Sequence, residues 1–267
     1  ASITLETLEE HFGPYPHDRL RLIEAAMGHP NCRIRTDTLI CDRSLGFIND
    51  PRLDDLRTPP SVLVRIPAGM VANLYVRSLI MPANQPGASS IADGLGFYLS
   101  SLVWRDDVPK RAAAESIRDA AWHYFTERAA DDEGEGTIVD QVDQTYVGAH
   151  KNAAVMYGLG YYLGRDRMTT AIRRFLDKYR FEGPPFARMT DLVAEFRTVA
   201  PPEVQSIITD FFERRTLFDI AATEARARRV DNDDYLVSVD VRARKFYAEA
   251  NGETKRRVVR LNSRKGL

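Results

Sequence analysis

Apolar residues recur at three- and four-residue spacing over most of the chain. Residues 3 to 12 (ITLETLEEHF) read as a helix, which Gly13, Pro14, Tyr15 and Pro16 stop. Leu20 to Ala25 and Thr38 to Cys41 are short apolar runs that suit strands. Gly46 to Pro51 reads as a turn into a charged loop. Two helices joined by the polar loop MPANQPGASS follow from Val62. The first has Ile66, Val71, Leu74, Val76, Leu79 and Ile80 around most of its cylinder, which predicts burial, with Pro67 near its start. The second carries Ile91, Leu95, Tyr98, Leu99 and Leu102 on one face, with Asp93 in its first turn. Val108 to Ala129 predicts another helix, with Pro109 in its first turn and Trp122 and Phe125 on its apolar face. Residues 131 to 136 (DDEGEG) read as a solvated acidic loop. Helices are expected at about 149–163, 167–180, 188–198 and 202–215. From Tyr235 the period becomes two, and Asn251 and Gly252 mark the tip of a hairpin. There is no internal repeat.

Composition narrows the class. The chain has 267 residues, enough for one large or two small domains with a core. It is 44% hydrophobic and 28% charged, as in ordinary globular proteins. A net charge of -1 points to neither a nucleic-acid nor a membrane partner. No apolar run reaches the length of a membrane span, and the first residues are polar and acidic, unlike a signal peptide. Cys32 and Cys41 form no CxxC, so a reduced, cytoplasmic protein is expected. His11, His17, His29, His123 and His150 include no pair four residues apart. There is no G-x-S-x-G, P-loop or G-x-G-x-x-G either, and no metal or cofactor is expected.

One stretch is more specific. KNAAVMYGLGYYLGRDRMTTAIRRFLDKYRFEGPPFARMTDLVAEF, followed by IITDFFERRTLFD, resembles the helical half of the aminopeptidase-N family of zinc peptidases. The resemblance is nearest to the type fused to ABC transporter permeases. HFGPYPHDRLRLIE and PANQPGASSIADGLGFY extend it toward the amino terminus. It implies a mainly α (α+β), thermolysin-like (gluzincin) catalytic domain over 1–232. Small β elements precede the helices, and a β-ribbon follows at 233–267.

The resemblance does not carry the chemistry with it. Such peptidases bind zinc through HExxH on one helix face and a downstream Glu. Aligned on the PAN and D-G-L-x-x-Y anchors, HExxH falls on Gly69, Met70, Val71, Ala72 and Asn73, and only Asp93 keeps an acid. The family's transition-state tyrosine falls on Ala149, and its amine-recognising Glu falls near Arg43. Loss of the larger side chains is expected to leave room in the groove. The residues expected to line it are Arg43, Gly69, Met70, Asn73, Arg77, Asp93, Tyr98, Tyr146, His150 and Lys151.

Two readings follow. In the first the chain is a repurposed, metal-free enzyme. Asp93 takes a proton from a substrate amine, and Arg43 grips an anionic group such as a departing sulfate or phosphate while the amine closes a ring. Asn73, Arg77, Tyr98, Tyr146, His150 and Lys151 would contact the substrate. Bacterial secondary metabolism is the expected setting, with a second protein subunit. In the other reading the chain is a non-catalytic scaffold, and its open hairpin adds a strand to a partner. Asp93 also fits a plain helix-start charge, and Arg77, His150 and Lys151 fit solvated positions.

Overall fold

The computed structural model describes residues 2–27, 32–43, 60–107, 110–230, 235–249 and 254–257, with the backbone alone at 60–67, 103–107, 110–116 and 254–257. The turn expected at Gly46 to Pro51 lies outside the described residues, as do Pro109 and the hairpin tip at Asn251 and Gly252.

Helix α1 (Ser2–Phe12) buries Leu8 and Phe12. Gly13 ends it with φ +97°, a conformation that glycine adopts at least cost. Strands β1 (Arg21–Ala25), β2 (Cys32–Arg35) and β3 (Thr38–Asp42) form a small sheet in the order β1-β3-β2. β1 runs parallel to β3, and β2 runs antiparallel to it. Four residues were too few for β2 to be recognised from its own pattern. Leu39 and Cys41 on β3 pack against Val71 and Leu74, so the sheet rests on the helix that carries the candidate site.

That helix, α2 (Pro60–Leu79), starts earlier than expected. Pro60 takes the first position, where a proline loses nothing, so Pro67 is an interior residue rather than a starting one. A π-helical turn (Ser90–Leu95) runs directly into α3 (Gly96–Asp107). Helix α4 (Lys110–Ala129) turns Tyr124 inward at 6% exposure and leaves Trp122 and Phe125 at 67% and 59%. The apolar face expected through Trp122 and Phe125 is therefore rotated. Tyr124 is drawn in because its hydroxyl has a buried partner, Glu135.

A second π-helical turn (Tyr146–Lys151) leads into α5 (Asn152–Leu163). Helices α6 (Arg165–Tyr179), α7 (Met189–Val199) and the short α8 (Gln205–Ile208) complete the layer, and a last π-helical turn (Thr209–Glu213) ends it. On α6, Met168, Ala171, Ile172, Phe175, Leu176 and Tyr179 are buried at three- and four-residue spacing. They join Tyr75, Leu79, Ile91, Leu95 and Leu99 in one core.

The chain then forms a ribbon in the order β4-β5-β6. β4 (Thr216–Arg229) pairs antiparallel with nearly the whole of β5 (Tyr235–Ala248), and β5 pairs with β6 (Thr254–Arg257) as the hairpin pattern predicts. The expected boundary at 232/233 thus falls between two paired strands. β4 is unrecognised from its pattern because a bulge between Ala222 and Glu224 breaks the two-residue period.

Cys32 and Cys41 face each other across β2 and β3 and are joined as a disulfide. The reduced pair expected from the sequence is corrected here: strand register, not sequence spacing, brings the two sulfurs together. No described helix is long and apolar enough to cross a membrane.

Candidate functional site

Four of the candidate residues, Asp93, Tyr146, His150 and Lys151, sit on two π-helical turns packed glycine against glycine. A Cβ at Gly94 would lie 2.4 Å from the Gly148 carbonyl oxygen and 2.3 Å from the Asn152 amide. Asn152 Nδ2 donates to the Ser90 carbonyl at 2.7 Å, and Ser90 Oγ donates to the Ile138 carbonyl at 2.8 Å. Wide turns of this kind are often found at functional sites because they displace a side chain from its helical position.

Asp93 projects from the first turn. Arg77, on α2, donates to its Oδ1 at 2.6 Å, and both side chains are part-exposed, 43% for Arg77 and 28% for Asp93. The two are brought together. Arg43 lies exposed just after β3, and no described contact joins it to Asp93. Asn73 is buried, and with its amide assigned so that the nitrogen faces the neighbouring carbonyls it donates to Ala92 at 2.9 Å and Asp93 at 3.0 Å. Those bonds fasten α2 to the π-turn. Tyr98 is 6% exposed and belongs to the core.

The room expected at Gly69 is taken up. A Cβ built there would meet the Phe97 ring at 3.0 Å. The aromatic edge of α3 leans into the space that a larger side chain on α2 would need.

Tyr146 and Lys151 reach a centre that the sequence reading passed over. Glu135, from the acidic loop, is 6% exposed. It accepts hydrogen bonds from Tyr124 Oη at 3.0 Å, Arg128 Nε at 2.6 Å and Lys151 Nζ. Burial raises the Glu135 pKa, but the Lys151 charge and these donors more than offset it, and the net shift is downward. Burial pulls Lys151 down against the attraction of Glu135. Three donors converge on the carboxylate, an arrangement that favours its charged form. Asp131 accepts from Tyr146 Oη and from Gln144 Nε2, the latter at 2.8 Å, and the tyrosine bond holds its pKa below the usual range. Tyr146 shifts upward, first through burial and then through that bond. The loop is not solvated throughout, because Tyr124, Arg128 and Lys151 supply the partners a buried carboxylate requires.

The sign of the pH dependence follows. Carboxyl groups depressed in the folded state contribute stability above their unfolded pKa values and lose it as pH falls through the folded ones. The melting temperature should stay level from pH 7 to about 5 and fall below about pH 4.5, the reference range for Asp and Glu. A Glu135→Gln protein should show a shallower fall in the same thermal melts. A fall centred above pH 6 would mean that other groups control acid stability.

His150 stands apart from this hub. Its ring stacks on that of His123, with centroids 4.9 Å apart and 19° between the planes, and Glu127 Oε1 is 3.6 Å from its Nε2. Among the described residues, His123, Glu127 and His150 form one group of three whose donor atoms lie within 4.8 Å of one another. One signal was available in the sequence: His123 and Glu127 are four apart on one helix, hence on one face. His150 comes from a different element, so spacing could not reveal it.

No protein-family model matches the chain, and no curated protein matches it by sequence. Solved structures do match in shape. A mutant of the M1 zinc metallopeptidase from Deinococcus radiodurans superposes with a TM-score of 0.58 at 12% identity, over 80% of this chain and 44% of that one. The form of that peptidase bound to a Tyr-Ser-Ala substrate gives 0.55 at 11% identity, over 78% and 42%. Yeast LTA4 hydrolase in complex with bestatin gives 0.57 at 13% identity, over 78% and 32%. The chain spans less than half the length of these proteins. Such identities speak for the fold alone: it is mainly helical with small β elements, similar in shape to part of the M1 zinc metallopeptidase structures.

Proposed function

We propose that the chain is a non-peptidase protein on a zinc-aminopeptidase scaffold, one that binds or transforms a small molecule carrying both an amine and an anionic group. The carrying observation is the part-exposed Arg77–Asp93 pair beside a filled Gly69 position. The donor set at the aligned ligand positions does not fit zinc. Gly69 has no side chain, the Asn73 amide is used by two backbone carbonyls, and Asp93 is paired with Arg77.

An arginine and an aspartate side by side complement a zwitterion, amine to carboxylate and anion to guanidinium. In the cyclising version, Asp93 accepts a proton from the substrate ammonium. The freed nitrogen lone pair then forms a bond to the carbon that bears the sulfate. The C–O bond breaks, and its electrons leave with the sulfate, held by Arg77. Arg77 is a cation in contact with Asp93, and in this version it takes the anion-holding role expected of Arg43.

The test uses 2-aminoethyl hydrogen sulfate as probe, with calorimetric binding and detection of released sulfate. Arg77→Ala and Asp93→Asn should each weaken binding at least tenfold, since each removes one partner of a charge-assisted contact worth about 1.5–3 kcal/mol. Unchanged binding in both variants would remove this reading. Added zinc should elicit no hydrolysis of an aminoacyl anilide, and turnover at one zinc per chain would restore the peptidase.

A second reading, with a partner subunit, rests on the ribbon. The bulge in β4 keeps Ile220, Ala222, Ala225 and Ala227 in phase across from Ala243, Val241, Val239 and Val237, which makes one apolar face. Ile220, Val237, Val239 and Val241 are all exposed. Water-facing strands of this kind suit a second polypeptide with an apolar face of its own. Light scattering that finds only a monomer, alone and with the product of a neighbouring gene, would count against it.

A further inference from the structure

We infer that His123, Glu127 and His150 bind a divalent first-row metal ion of the Zn2+ type where α4 meets the second π-helical turn, away from the positions that align with the peptidase ligands. This does not depend on the function proposed above.

The donors suit such an ion. Glu127 Oε1 lies 3.8 Å from His123 Nδ1 and 3.6 Å from His150 Nε2. Two imidazoles and a carboxylate are a common donor set for zinc, with bonds of about 2.0–2.2 Å, which puts tetrahedral donors about 3.4 Å apart. The donor atoms already lie within 4.8 Å of one another, and side-chain rotations that unstack the two rings bring their lone pairs onto one ion. His123 has its other nitrogen, Nε2, 3.9 Å from Asp119 Oδ2. A carboxylate on that side of the ring is placed to support Nε2–H once Nδ1 binds a metal, the usual outer support of a metal-binding histidine.

The framework is also fixed. An exposed His and Glu four apart on a helix would by themselves be an ordinary solvated pair. Here the third donor comes from the second π-turn, and both histidines adjoin anchored residues. Tyr124 follows His123 and Lys151 follows His150, and both bind the buried carboxylate of Glu135. Rigid backbone under adjustable side chains is the arrangement that lets donors converge. Three protein donors leave at least one coordination position for water or for an added ligand. The Phe97 ring lies 6.3 Å from the His150 ring and fills the space over Gly69, so the metal would sit one aromatic ring away from that position.

The test is titration of the full chain, stripped with chelator and dialysed, with Co2+ and then Zn2+. One equivalent of Co2+ should produce visible d–d absorption, which Zn2+ abolishes. His123→Ala, His150→Ala and Glu127→Gln should each weaken binding at least tenfold, and Asp119→Asn about tenfold, within the range known for ligands and their supports. His17→Ala should bind as wild type does. Circular dichroism separates loss of a ligand from loss of the fold, and the Asp119→Asn and Glu127→Gln changes are nearly isosteric. Absence of binding at millimolar metal would overturn the inference. So would undiminished binding by the His123→Ala/His150→Ala protein.

Discussion

Glu135→Gln should lower the unfolding free energy by about 3–5 kcal/mol, the usual result of removing one partner of a buried ion pair. The substitution keeps the shape of the side chain and removes its charge. Lys151, at 8% exposure, is then left with an amide where its carboxylate was. Arg128 and the Tyr124 hydroxyl lose their charged acceptor at the same time. Lys151 also stands over the Tyr124 ring at 5.3 Å, a cation–π contact that offsets little of the loss. Thermal melting at pH 7 should show a fall of about 10 °C for a chain of this size. Adding Lys151→Met should recover part of the stability, because the second buried charge goes too. A Glu135→Gln protein within about 1 kcal/mol of wild type would mean that the loop opens to water in solution and that the hub does not hold it.

Gly96→Ala is expected to cost about 3 kcal/mol, at the upper end for overpacking a core position. The added Cβ would lie 2.0 Å from the Asn73 amide and 2.6 Å from the Asn73 Cα. The amide can rotate only by giving up its bonds to Ala92 and Asp93, and the Cα moves only with α2. The same contact carries Asp93 toward Arg77, so probe binding should weaken along with stability. Gly160→Ala is the control. Its new Cβ would meet nothing nearer than Tyr98 Oη at 3.8 Å, and replacing a helical glycine stabilises by about 0.5–1 kcal/mol. If Gly96→Ala melts with wild type, α2 and α3 can part by a methyl group. The filled state of the Gly69 position would then have to be reconsidered.

These two experiments probe different layers. The first asks whether the loop at 131–136 is part of the core, and the second asks whether α2 and α3 meet too closely for larger side chains. Both concern contacts between elements far apart in sequence. Such contacts are where the sequence reading was least informative.

Local periodicity was enough for α1, the helices from α2 to α7, and the hairpin at the end of the chain. On α6 the spacing that makes the helix also selects its buried face, as with Phe175 and Tyr179, whereas α4 turns Tyr124 inward and leaves Trp122 and Phe125 exposed. Motifs quoted from residues 151–219 carried the fold class, because helix patterns with fixed loops between them specify an order of elements. The bulge at Thr223 hid β4, since one extra residue reverses the inward and outward positions. Tertiary structure alone decided the rest. A carboxylate is solvated or buried according to what faces it, and Glu135 meets Tyr124, Arg128 and Lys151, two of them from α4 and the third from a π-turn sixteen residues on. The Cys32–Cys41 bond depends on strand register, the Arg77–Asp93 pair on the packing of α2 against a π-turn, and the His123–Glu127–His150 group on α4 lying beside another. Sequence patterns encode which residues prefer to be buried; which charges meet depends on distances that only the packed chain sets.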